Sequence, residues 1–130
     1  DRVCAVIELS NGRLASSSED GTVRVWNSDT GKQLAVCEGH TNIVHSFIKL
    51  RDGKLASCSY DGTVRVWNSD TGKQLAVCEG HTAPIWSFLE LRDGELASCS
   101  YDRTVRIWDS ATGKQLAVCE GHTNDVTSLI

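Results

Sequence analysis

The chain holds 130 residues, 40% of them hydrophobic, with 17 acidic against 13 basic side chains and a net charge of −4 at pH 7. That is enough for one modest domain. Its apolar runs end after four or five residues, far short of the ~20 that a membrane helix needs. An acidic balance also argues against a phosphate-backbone binder, which would carry a basic stripe. Neither nucleic acid nor a membrane is an expected partner.

The chain opens on DRVCAVIEL, whose VCAVI reads as a first short strand. Residues 20–41, DGTVRVWNSDTGKQLAVCEGHT, then return without change at 61–82 and with few changes at 102–123. TGKQLAVCEGHT starts at residues 30, 71 and 112, a period of 41 residues. Self-similarity of that length marks a solenoid, a propeller or an array. In the middle unit VHSFIKL is followed by RDG, KLASCSY, DG, TVRVW, NSDTG and QLAVCEG. These are four runs rich in Val, Leu, Ile and aromatics, divided by Asp-Gly and Thr-Gly turns that supply the positive φ of tight hairpins. No apolar stripe has helical spacing. Each period is expected to be a four-stranded antiparallel meander, with Ser57 opposite Trp67 across an Asp61-Gly62-Thr63 loop. TVRVW and KLASCSY are apolar or small on both faces, so each sheet needs a neighbour on each side.

The repeats LASCSYDGTVRVWN and LASCSYDRTVRIWD, each preceded by GHT and followed by TGKQL, resemble the WD-repeat (WD40) β-propeller family over essentially the whole chain. There are departures: only Trp108-Asp109 keeps the naming dipeptide, and Arg103 stands where Gly21 and Gly62 make the turn. The resemblance implies an all-β chain of propeller blades, three four-stranded antiparallel meanders plus the first strand of a fourth. The blades are read as 1–41, 42–82 and 83–123, with VTSLI in 124–130 opening the next. Three blades do not close a ring. A piece of a longer propeller is the preferred account, and head-to-tail assembly of copies is the alternative.

Ser, His and Asp recur together, which invites a hydrolase reading. No GxSxG elbow is present, and a triad needs one exposed nucleophile beside an oxyanion hole. The resemblance instead implies a blade-tying hydrogen-bonded tetrad, mapping onto His40, Ser57, Asp61 and Trp67 and onto His81, Ser98, Asp102 and Trp108. Ser16, Asp20 and Trp26 lack a histidine, and His122 lacks its partners. Arg24, Arg65 and Arg106 recur at one interior strand position and are read as tying the blade or as solvated, rather than as phosphate contacts. The histidines lie about one blade apart with no carboxylate cluster, so no metal and no cofactor is expected. The six cysteines form no CxxC pair. They read as buried free thiols of a reducing compartment, hence an intracellular, cytoplasmic location.

Positions that differ between blades are not fixed by the blade's own packing. They include Glu19 in the first, Ile43, His45 and Tyr60 in the second, and Trp86 and Tyr101 in the third. All are expected at one end of the strands, where the resemblance places a partner-binding face. His45, Tyr60, Trp86 and Tyr101 are expected to form an aromatic patch that grips a peptide. The family's function would be a non-catalytic scaffold for peptides or partner proteins, or else the substrate receptor of a larger enzyme or ubiquitin-ligase-type assembly.

Overall fold

A computed structural model describes all 130 residues. It contains twelve strands and no helix, arranged as three four-stranded antiparallel sheets. Sheet 1 runs β1 (Val3–Glu8), β2 (Arg13–Ser18), β3 (Val23–Asn27), β4 (Gln33–Cys37). Sheet 2 follows with β5 (Val44–Lys49), β6 (Leu55–Ser59), β7 (Val64–Trp67) and β8 (Gln74–Cys78). Sheet 3 repeats the order with β9 (Ile85–Glu90), β10 (Leu96–Ser100), β11 (Val105–Trp108) and β12 (Gln115–Cys119). Residues 124–130 pair in no sheet. A strand needs a neighbour, and this segment finds only the Ser100 carbonyl, which accepts from the Val126 N–H at 3.2 Å.

The core lies between the sheets. The Ala15, Val23, Val25, Ala35 and Cys37 side of sheet 1 packs on Val44, Phe47, Leu55 and Trp67 of sheet 2. Sheet 2 presents the matching residues, Ala56, Cys58, Val64, Val66, Ala76 and Cys78, to Ile85, Phe88, Leu96 and Trp108 of sheet 3. Each sheet thus has a small-residue face and a large-residue face, and stacking meshes one with the other. The central strands β6 and β10 are buried throughout, and β6, between sheets 1 and 3, is apolar or small on both faces as a strand covered on both sides must be. Cys37, Cys58, Cys78 and Cys99 are buried, and desolvation pushes the first three thiols up to about 12. Cys4 and Cys119 depart from the expected burial and are exposed. Cys119 lies on the sheet 3 face that no further sheet covers.

The register corrects one sequence expectation. Leu55, not Ser57, lies opposite Trp67, and Ser57 pairs with Arg65. The loop is Tyr60-Asp61-Gly62, one residue earlier than expected, because the Ser59 N–H donates to the Thr63 carbonyl and draws Thr63 into the ladder. Asp61 holds that geometry: its carboxylate accepts from the Thr63 N–H at 2.9 Å and the Thr63 hydroxyl at 2.7 Å, while Ser59 Oγ accepts the Asp61 N–H. Gly62 supplies the positive φ that closes such a three-residue loop. In sheet 3 the same place is taken by Arg103 at φ 71.

Ser17 is the one buried side chain whose polar atom has no hydrogen-bond partner. Cys58 and Cys99 occupy the equivalent places, where a thiol loses little by burial. Ser17→Cys is expected to stabilise the chain by about 1 kcal/mol, since an unsatisfied buried hydroxyl is removed at nearly constant volume. Chemical denaturation of the pair of proteins reads this directly, and an unchanged or lower midpoint would refute it.

Candidate functional site

Two sets of residues were singled out in the sequence, and both assemble. In sheet 2, Trp67 Nε1–H donates to Ser57 Oγ at 2.8 Å, which lies 2.8 Å from His40 Nε2; His40 Nδ1 lies 2.8 Å from Asp61 Oδ2. Sheet 3 repeats this with Trp108, Ser98, His81 and Asp102, at 2.7, 2.8 and 2.6 Å. Ser57 and Trp67 are one register step apart diagonally on the same face, so a two-residue offset in pairing leaves the bond reachable. The histidine arrives from the loop between sheets, so each set joins the second strand, the hairpin turn and the third strand of one sheet to the preceding one.

Every proton in this chain has one consistent place. Trp Nε1–H donates to the serine oxygen, the serine hydroxyl donates to His Nε2, and His Nδ1–H donates to the carboxylate, so the neutral imidazole satisfies all four groups. The electrostatics agree. Burial lowers the His81 pKa and outweighs the raising contact with Asp102. For Asp102 burial alone raises the pKa, but hydrogen bonds from Thr104 and His81 prevail and hold it at about 2. Asp61 lies well below the usual carboxylate range for the same reasons, with His40 and Thr63 as donors.

These shifts set a pH dependence. His81, Asp61 and Asp102 all bind protons less readily folded than unfolded, so the unfolded chain takes up more protons as pH falls and stability falls with it. Thermal midpoints are expected to be flat between about pH 7 and 8 and to decline above that, because thiols of the unfolded chain ionise while buried Cys37, Cys58 and Cys78 hold their protons. They should decline below about 6.5 as unfolded histidine charges, and fall faster below about 4, where unfolded aspartate protonates. A midpoint that rises between pH 7 and 5 would contradict the neutral-imidazole assignment.

The Asp–His–Ser order is that of a hydrolytic triad, but the serine is fully buried and its oxygen already accepts the indole N–H. Arg24, Arg65 and Arg106 reach across to Gln33, Gln74 and Gln115 at 2.8, 2.6 and 2.7 Å, tying the third strand of each sheet to its fourth. In sheet 1, Trp26 Nε1–H donates to Ser16 Oγ at 2.9 Å with no histidine beside them.

The second set is a row of rings across sheets 2 and 3. His45 and Trp86 stack with centroids 4.3 Å apart, and Trp86 and Tyr101 stack at 5.4 Å. Tyr60 lies 5.7 Å from His45 and 6.1 Å from Trp86. Backbone geometry puts them there. The pairing of β5 with β6 skips between Val44 and Ser46, making His45 the extra residue of a bulge. Trp86 is the extra residue in β9, and Cys4 in β1. A bulge frees a side chain from the alternation of the strand and re-aims it. The Tyr60 and Tyr101 N–H groups donate to the Ile43 and Pro84 carbonyls at 3.1 and 3.2 Å, which fixes each tyrosine beside its bulge. Glu19 occupies the same position in sheet 1, bonded through its N–H to the Arg2 carbonyl, and its carboxylate lies 3.7 Å from Arg2. Tyr101 is 36% exposed, and His45, Tyr60, Trp86, Ile43 and Glu19 are half-buried. Burial lowers the pKa of His45, which favours a neutral ring in the stack.

Among known proteins, the family described as WD domain, G-beta repeat matches residues 1–27, 31–68 and 72–109. Human WD repeat-containing protein 41 is 40% identical over 48 residues, 37% of this chain and 10% of that protein. The chain therefore spans only about a tenth of that relative's length. The WD40 beta propeller domain of Doa1 superposes on 91% of this chain and 40% of its own, with a TM-score of 0.78 and 30% identity. The computationally designed Ika8 and Ika4 proteins both give a TM-score of 0.84 at 33% and 32% identity. They cover 96% and 97% of this chain, which spans 38% and 77% of theirs. With three repeats matched in register, the meander of each sheet and the histidine-to-tryptophan bonding in two of them, this chain belongs to the WD40 repeat family and is built of β-propeller blades.

Proposed function

We propose that the chain is a non-catalytic interaction scaffold that binds an extended peptide or a peptide-like segment of a partner protein on the face holding His45, Tyr60, Trp86 and Tyr101, flanked by Ile43 and Glu19. The observation that carries this reading is the continuous stack of three rings, with Tyr60 alongside, built at and beside bulge positions that the blades' own packing leaves free to vary. Stacked half-exposed aromatics offer large contact area at low side-chain entropy cost, which is what binding hot spots require. Burial of the tetrad serines supports the non-catalytic part, because a nucleophile shut inside the blade cannot meet a substrate. Unreactive buried thiols fit an intracellular, cytoplasmic setting, and no helix is long and apolar enough to cross a membrane.

The test uses the protein's own fluorescence. Trp67 and Trp108 are fully buried, so Trp86 and Trp26 are the tryptophans that can report a ligand. Peptides selected from a random library on the immobilised protein are expected to shift its emission on titration. Trp86→Ala with Tyr101→Ala, which removes the reporting ring, should abolish capture of the same peptides in a pull-down while leaving the thermal midpoint within a few degrees. Loss of folding in that variant would assign the rings to the core, and undiminished binding would move the site elsewhere.

A further inference from the structure

The two outer faces of the stack are unlike each other and alike to faces already buried within it. On sheet 1, Val3 and Val6 are 62% and 63% exposed, and Leu14 and Trp26 are half-buried. Their counterparts Val44, Phe47, Leu55 and Trp67 in sheet 2 are buried. On sheet 3, Ala117 and Cys119 are exposed and Val105 and Ile107 half-buried, where Ala76, Cys78, Val64 and Val66 of sheet 2 are buried. Sheet 1 also holds a cavity of about 220 Å³ lined by Ser16, Asp20 and Trp26, at the place where His40 and His81 stand in the other blades. The exposed His122 is the fourth histidine of the chain, at the opposite end and without partners.

We infer that the open face of sheet 1 is a docking site for the sheet 3 face of a second copy of this chain, whose His122 enters the cavity and completes the Trp26–Ser16–His–Asp20 set in trans, while β1 displaces that copy's residues 124–130, the repeat counterpart of β1, from Ser100. The interface is heterologous, head to tail, and repeats the geometry of the junctions inside the chain. Charge supports the match. At the junction of sheets 2 and 3 the guanidinium of Arg51 lies 3.4 Å from Glu90, whose carboxylate also accepts the Arg51 N–H at 3.0 Å. The repeat places Arg92 and Glu8 at these two positions across the intermolecular junction. One pair is mismatched: Arg13 bonds Asp70 at 2.7 Å between sheets 1 and 2, whereas Glu95 would face Asp29. Backbone fit points the same way. Gly72 and Gly113 pack directly on the Val36 and Val77 carbonyls of the preceding blade, while Gly31, with φ +71, has nothing within 4 Å. In the assembly it receives the Val118 backbone of the second copy.

Sedimentation velocity on the 130-residue chain is expected to show species heavier than the 14.2 kDa protomer. Gly31→Ala blocks one face and Cys119→Arg the other; each alone should sediment as a folded protomer, with circular dichroism confirming the sheet. Mixed together, the two variants retain one intact interface between them and should form a dimer and nothing larger. Alkylation of Cys119 should be slow in the wild type and fast in Gly31→Ala. His122→Ala should weaken assembly and Glu95→Lys strengthen it. A wild-type protomer that melts cooperatively at every concentration would overturn the inference. So would assembly that survives both blocking variants, or a mixture that stays at protomer mass.

Discussion

Replacing Trp67 by alanine will destabilise the chain by about 3–5 kcal/mol, the range for deleting a large buried aromatic. Trp67 is fully buried and belongs to the core cluster between the first and second blades. Its loss opens a cavity at a junction, not within one sheet, so two blades lose their contact together. The indole also donates to Ser57 and meets the His40 ring edge-on at 5.9 Å, so the variant strips the tetrad as well. Trp67→Phe separates these effects. It keeps most of the apolar volume and removes the N–H, and should cost about 1 kcal/mol through the hydrogen bond alone. Denaturant midpoints at constant m decide between them. Similar losses in the two variants would mean that bonding, not packing, dominates at this position, and a negligible loss in both would remove Trp67 from the structural core.

Much of this was legible because the chain states its own unit three times. Strand runs, Asp-Gly turns and the identity of the tetrad residues followed from period and resemblance, and the need of each sheet for a neighbour on both sides followed from TVRVW and KLASCSY being apolar or small on both faces. The register was misread by two residues because Ser59, Asp61 and Thr63 settle the hairpin through side-chain and backbone bonds that no pattern displays. An even slip keeps every side chain on its face, so the bonding partners survived the error. The aromatic set was found through variation alone; its cause, a bulge at His45 and Trp86, left no mark in either strand's composition. Ser17 carried a visible signal, a serine where two repeats have cysteine, and went unread because only its burial without a partner makes the substitution costly. Exposure of Cys119 could not be read from its repeat, since a residue identical in sequence to Cys37 and Cys78 differs only in what stands opposite.

That last distinction gives the second large effect, at a glycine. Gly72 adopts φ +75, and a Cβ there would lie 2.7 Å from the Val36 carbonyl carbon and closer still to its oxygen. Both obstacles are backbone of β4, so no side-chain rotation relieves them; either the Asn68–Gly72 turn or the first blade must move. Gly72→Ala should therefore cost about 3 kcal/mol or more, placing it among the severe single substitutions. Gly31 lies in the same TGKQL context at nearly the same φ but with open space around it. Gly31→Ala, compared at a dilution where the chain is protomeric, should cost only the left-handed backbone penalty of about 1–2 kcal/mol. The difference between two chemically identical substitutions then measures the contact between blades without the strain of the turn. Equal losses at the two sites would mean that the turn conformation alone sets the cost, and that the blades meet more loosely at Val36 than the structure places them.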